Sequence, residues 1–108
     1  MPRIPSLETT RYWDKFLHLA RDCMRDLFDY AHYWDQLSSE HRYSLLQSCG
    51  LIKTAIPHLQ GGRERGELTR RQLRELAVLE RRYSEAVKLL ELLRRRDQEL
   101  HAKERDHE

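Results

Sequence analysis

Residues 69–103, TRRQLRELAVLERRYSEAVKLLELLRRRDQELHAK, decide the fold. Within them Leu76, Leu79, Tyr83, Ala86, Leu90, Leu93 and Leu100 follow one another at alternating steps of three and four, and only Asp97 interrupts the series. That spacing lays all seven along one side of a helix. No Gly or Pro breaks the run, and Thr69 with Gln72 three residues later fits a capping box at its start. At a rise of ~1.5 Å per residue the helix is ~50 Å long, more than a chain of this size needs to cross a globule. A stripe of that length needs a cover, supplied by the rest of the chain or by another protein.

Upstream, residues 60–68 carry Gly61, Gly62 and Gly66 among charged residues, which predicts an exposed loop. Before it, Leu45, Cys49, Ile52, Ile56 and Leu59 predict a second helix over residues 39–57, with Ser38 and Ser39 placed to cap it. Gly50 costs that helix ~1 kcal/mol relative to Ala, and Pro57 cannot donate to the carbonyl of Lys53. A bend is expected near Gly50. Trp13, Phe16, Ala20, Cys23, Leu27, Tyr30, Trp34 and Leu37 predict a first helix over residues 10–37, capped by Thr9 or Thr10 after an extended leader of residues 1–9. Its apolar face, widened by Tyr12, Leu17, Leu19, Met24, Phe28 and Ala31, is broad enough to meet two neighbours.

The expected fold is therefore all-α: a single-domain, three-helix antiparallel bundle with an over-long C-terminal helix over residues 69–103. On this reading the helix overhangs around Leu93 and Leu100, the bundle dimerises through the overhang, and the charged tail from Arg94 to Glu108 frays. Arg71 with Glu75, Arg81 with Glu85, and Glu91 with Arg95 sit four apart, as solvated helix pairs do.

The chain of 108 residues is 39% hydrophobic and 35% charged, with a formal net charge of +2. The charge is nearly balanced in both halves, so neither reads as a nucleic-acid arm. No run of apolar residues is long enough to span a membrane, and Met1 to Pro5 lack the apolar core of a secretion signal, so a cytoplasmic protein is expected. Cys23 and Cys49 then read as reduced thiols, both on apolar stripes, where they act as small buried hydrophobes. Six histidines raise a metal site, but only Asp14 with His18 and Asp29 with His32 have helical spacing, all on one helix, and no metal or cofactor is expected. No nucleophile, acid–base pair or phosphate loop has a supporting motif, which points away from an enzyme.

On a helical wheel Val78, Leu89 and Leu92 project away from the main stripe of the third helix. Such aliphatics are either isolated surface residues or a second contact surface with arginines as its rim. The candidate interface comprises Val78, Leu89, Leu92, Leu93, Leu100, Arg82 and Arg96, and Tyr33 and Tyr43 near the tight turn extend it. The alternative is a nucleic-acid-binding accessory protein using the arginines of the glycine loop and the third helix, against which acids interleave almost one for one.

The aromatic first helix from Tyr12 to Leu37, the glycine–arginine loop from Gly61 to Gly66 and the long Arg-rich last helix together resemble the small helical antiactivators of bacterial quorum sensing, of the QslA type. The resemblance implies a dimeric, non-catalytic inhibitor that binds a LuxR-type transcription factor and blocks its dimerisation. It assigns no individual binding residue.

Overall fold

Residues 5–106 are described by a computed structural model. Among them there is no strand: the chain forms α1 (Leu7–Ala31), a 3-10 turn (Trp34–Gln36), α2 (Ser39–Cys49), α3 (Ile52–Glu64) and α4 (Arg70–Asp106). The outer parts of the expected leader and tail, residues 1–4 and 107–108, lie outside the described residues.

Each boundary has a local cause, and several differ from the expectation. Helix α1 starts before Thr9, because Ser6 is its cap: the Ser6 hydroxyl accepts from the Thr9 amide at 3.2 Å. It ends at Ala31, short of residue 37, yet the 3-10 turn still delivers Trp34 to the core. Burial there keeps the helical spacing while the backbone leaves the helix. Ser38 caps α2 by accepting from the His41 amide at 3.1 Å.

The expected bend at Gly50 is a full break that separates α2 from α3 at Gly50 and Leu51. Pro57 then sits inside α3 on an exposed position, so the Lys53 carbonyl loses its backbone donor on the watery side of the helix. The predicted loop over residues 60–68 is wrong in its first half. Gly61 and Gly62 are helical, and α3 runs to Glu64. It ends in a Schellman turn, where Glu67 donates to the Gly62 carbonyl, Gly66 donates to the Arg63 carbonyl, and Gly66 takes φ +69°.

Helix α4 opens on the expected capping box. Gln72 donates its amide to the Thr69 hydroxyl at 3.2 Å and receives the Thr69 amide on its side-chain oxygen at 2.9 Å. The Gln72 side chain is buried and also donates to the Thr10 carbonyl and to Asp14, both at 2.9 Å, which ties the start of α4 to α1.

Helix α1, the jointed α2–α3 arm and α4 pack together around one core. Trp13, Leu17, Ala20, Met24 and Leu27 come from α1; Ile52, Ala55, Ile56 and Leu59 from α3; Leu76, Leu79, Ala86, Leu90 and Leu93 from α4. The molecule is a rod of 65 × 23 × 18 Å. Its far end is not the frayed overhang that was expected. Leu93 is buried, Leu100 packs against the core, and α4 stays helical to Asp106.

Arg42 of α2 closes that end. It is 2% exposed and donates to Asp97 at 2.7 Å, to Glu104 at 2.9 Å and to the Leu37 carbonyl at 2.7 Å. Asp97, the one gap in the apolar stripe, is thus the acceptor for a buried guanidinium.

Several carboxylates are held below their ordinary range. Asp14 is lowered by its bond from Gln72 and then by Arg71, Asp35 by Arg96, Glu80 by Arg63 and Gln60, Glu91 by Lys53, and Glu104 by Arg42. Their ordinary values are 3.8 for Asp and 4.5 for Glu. A carboxylate lowered in the folded state stabilises it above the ordinary value and loses that contribution as pH falls through the folded one. Urea midpoints are therefore expected to stay level down to about pH 5 and to drop progressively below about pH 4. An unchanged midpoint in that acid range would show that these pairs contribute nothing.

Candidate interaction surface

The core takes one side of α4 and leaves the opposite side of a helix ~55 Å long, at ~1.5 Å per residue, to solvent. On that outer side Val78 is 55% exposed and Leu92 58% exposed. They lie two heptads apart on one line of the helix. The other five residues of the expected interface have intramolecular roles. Leu93 is buried in the core, and Leu89 and Leu100 are half-buried against it. The Arg82 guanidinium stacks 4.2 Å from the Phe28 ring centroid. Arg96 grips both carboxylate oxygens of Asp35, at 2.9 and 2.6 Å, and also bonds Glu99. The wheel placed Leu89 outside because it treats a helix as having one buried side, whereas α4 packs against three helices and buries a wider arc.

Two depressions adjoin the exposed pair. A groove of about 190 Å³ between α1 and α4 is lined by Leu17, Arg21, Glu75, Val78 and Leu79. A shallower trough of about 400 Å³ on the outside of α4 is bounded by Val87, Lys88, Glu91, Leu92 and Arg95. Tyr33 and Tyr43 are exposed near the tight turn, and Tyr43 shares a recess with Ser39, Glu40 and His101.

Charge on this face is less cancelled than the spacing of acids and bases implies. Of the three expected pairs four residues apart, Arg71 with Glu75 forms, at 2.8 Å. Glu91 pairs instead with Lys53 and Arg94. Among the described residues Arg81, Glu85 and Arg95 are in no ion pair. Lys53 reaches Glu91 from α3, a competitor invisible from α4 alone.

Comparison with protein-family models, with curated proteins and with solved structures found no match to this chain.

Of the groups considered for chemistry, His18, Asp29 and His32 are exposed, and Asp14 is engaged within the fold. Asp14, spaced from His18 as a metal pair would be, gives its oxygen to Arg71 and Gln72. His58 packs edge-on against Phe16, with ring centroids 4.6 Å apart, and its Nε2 meets the Tyr12 hydroxyl at 2.8 Å. Trp13 donates to Glu67 at 3.0 Å. Among the described residues no three or more His, Cys, Asp and Glu gather as a metal would need.

Both cysteines are buried free thiols, each donating to a carbonyl across the α1–α2 contact: Cys23 to Ser48 at 3.2 Å and Cys49 to Cys23 at 3.4 Å. Burial pushes both thiols up, Cys49 to about 12, which withholds the thiolate that nucleophilic or redox chemistry uses. No helix among the described residues is long and apolar enough to cross a membrane.

Proposed function

We propose that this chain is a non-enzymatic protein-interaction module, a small cytoplasmic regulator that acts by occupying a surface of another protein. The arms are read as an antiparallel bundle, up, down and up. Asp14 bonds Arg71 near the two N-terminal ends and Asp35 bonds Arg96 near the two C-terminal ends, while α2–α3 returns between them through Lys53 to Glu91 and Arg63 to Glu80. The observation that carries the proposal is the exposed line of Val78 and Leu92 on the bare side of α4, beside two grooves with aliphatic walls. Helices that dock on partners present such spaced aliphatic anchors inside a charged rim.

In keeping with the antiactivator resemblance, the partner is a transcription factor of the LuxR type, and binding blocks its dimerisation. Self-association is a weaker use of the same face. An antiparallel pair of α4 helices centred on Glu85 would set Val78 against Leu92 of a second copy. The same pairing puts Arg81 beside Lys88 and Arg74 beside Arg95, like charges that oppose it. The homodimer is therefore favoured by salt.

The test mixes the chain with a purified LuxR-type factor and reads solution mass by light scattering. The expected result is loss of the factor dimer and appearance of a mixed complex, abolished by Val78→Glu with Leu92→Glu at unchanged helicity. Both positions are exposed, so the double variant should fold; Leu89→Glu is unsuitable, because Leu89 packs on the core. A factor that stays dimeric beside the wild-type chain contradicts the proposal.

A further inference from the structure

We infer that the outer face of α4 receives an acidic amphipathic helix of the partner protein; this rests on the interaction reading above and supplies the partner's chemistry. Arg74, Arg81, Lys88 and Arg95 recur every seven residues, and all four are exposed. Among the described residues none of them is in an ion pair. At ~1.5 Å per residue they stand ~10.5 Å apart in a column ~31 Å long. Val78 and Leu92, two heptads apart, run beside the column, and the trough at Leu92 is walled by Lys88 and Arg95.

Cations every seven residues beside two aliphatics fourteen apart, with Glu85 between them, form one half of a helix-pairing seam. The matching half is a helix with aliphatics along its own seam and Asp or Glu at the flanking positions, on the same period. Charges at those flanks set partner choice more than they set affinity. Glu85, midway between Val78 and Leu92, excludes an acid from the partner's seam itself and so restricts carboxylates to the flanks.

The two other occupants fit less well. A second copy would set the column against itself. A phosphate backbone carries one charge per ~1.7 Å of duplex, against one cation per ~10.5 Å here, and Glu85, Glu91 and Glu99 on or beside the face would repel it. It also has no use for Val78 and Leu92.

The test uses the full chain and a fluorescent peptide of about three heptads, with Leu at the two seam positions and Glu at the two flanking positions. Those glutamates keep the peptide from pairing with itself. By anisotropy it is expected to bind at least about tenfold tighter than the same peptide with Lys at the flanks, and to weaken as salt rises. Arg81→Glu with Lys88→Glu should cost about tenfold, while the charge-keeping exchange Arg81→Lys with Lys88→Arg should retain binding. Equal affinity for both peptides, no effect of charge reversal, or displacement of the peptide by duplex DNA of similar length would each overturn the inference, the last assigning the column to phosphate. If the peptide fails while the mixed complex with the transcription factor forms and is lost with Val78→Glu and Leu92→Glu, only this inference falls. If that complex does not form either, the functional reading falls with it.

Discussion

Replacing Arg42 with alanine is expected to lower the unfolding free energy by about 3–5 kcal/mol, the range for breaking a buried ion pair by removing one partner. The guanidinium is 2% exposed and satisfies three acceptors on two other segments: Asp97 and Glu104 on α4, and the Leu37 carbonyl after the 3-10 turn. Without it, the 20%-exposed Asp97 carboxylate faces the space the side chain filled, and the Leu37 carbonyl loses a donor. Glu104 is half exposed and reverts to water, so Glu104→Ala should be mild. Combining Arg42→Met with Asp97→Leu should recover most of the loss, because a leucine side chain there completes the stripe that Asp97 interrupts and the one charge left unpaired, Glu104, is half exposed to water. Urea denaturation of the three variants reads all of this. An Arg42→Ala midpoint equal to wild type would show that the network contributes no net stability.

Gly61→Ala and Gly62→Ala, adjacent positions in one helix, are expected to have opposite signs. Both residues are helical in α3, where alanine is favoured over glycine by roughly 0.5–1 kcal/mol. A methyl at Gly61 meets only the far end of the Arg65 side chain, at 3.2 Å, which can swing aside. At Gly62 it would lie 2.6 Å from Trp13 Cζ2, with two further ring atoms within 2.9 Å. That ring is 1% exposed and anchored by its bond to Glu67. Moving it disturbs the end of the core where α1 meets α3, and overpacking of this kind costs about 1–3 kcal/mol or more. Thermal melts decide it: Gly61→Ala should hold or raise the midpoint while Gly62→Ala lowers it. If both rise, the close approach of Trp13 to α3 is not a constraint.

The same glycines mark the limit of what the sequence discloses. Spacing alone gave the stripe of α4 from Leu76 to Leu100, the capping box of Thr69 and Gln72, the serine turn before α2 and the weak point at Gly50. All of these depend on neighbours within a few residues. Gly61 and Gly62 resemble loop glycines because the reason for the second, an indole from residue 13, lies far away in the chain. The glycine loop was one of the features behind the antiactivator resemblance, and only the turn at Gly66 remains of it. Likewise nothing local marks Arg42 as buried, and Asp97 looked like a flaw until the two met.

The candidate surface divides in the same way. Val78 and Leu92 were legible as outward-facing. Leu89, Leu93 and Leu100 were not legible as packed on the core, nor Arg82 and Arg96 as engaged within the chain, because their partners, the core, Phe28 and Asp35, belong to other elements. The basic column stood in the sequence throughout, masked in part by Glu91, which pairs with Lys53 and Arg94 instead of Arg95.

The bonds that tie α4 down also set the order in which the molecule can be completed. Asp14 to Gln72, Asp35 to Arg96 and Arg42 to Asp97 join residues 58, 61 and 55 positions apart. During translation at ~5–20 residues per second, the 37 residues of α4 take roughly 2–7 s to follow α3 out of the ribosome. For that interval the apolar residues of α1 and α3 that pack on α4, Leu17 of α1 among them, have no α4 to cover them. A nascent chain paused there leaves that apolar surface open to neighbouring polypeptides, chaperones included, as the finished rod does not.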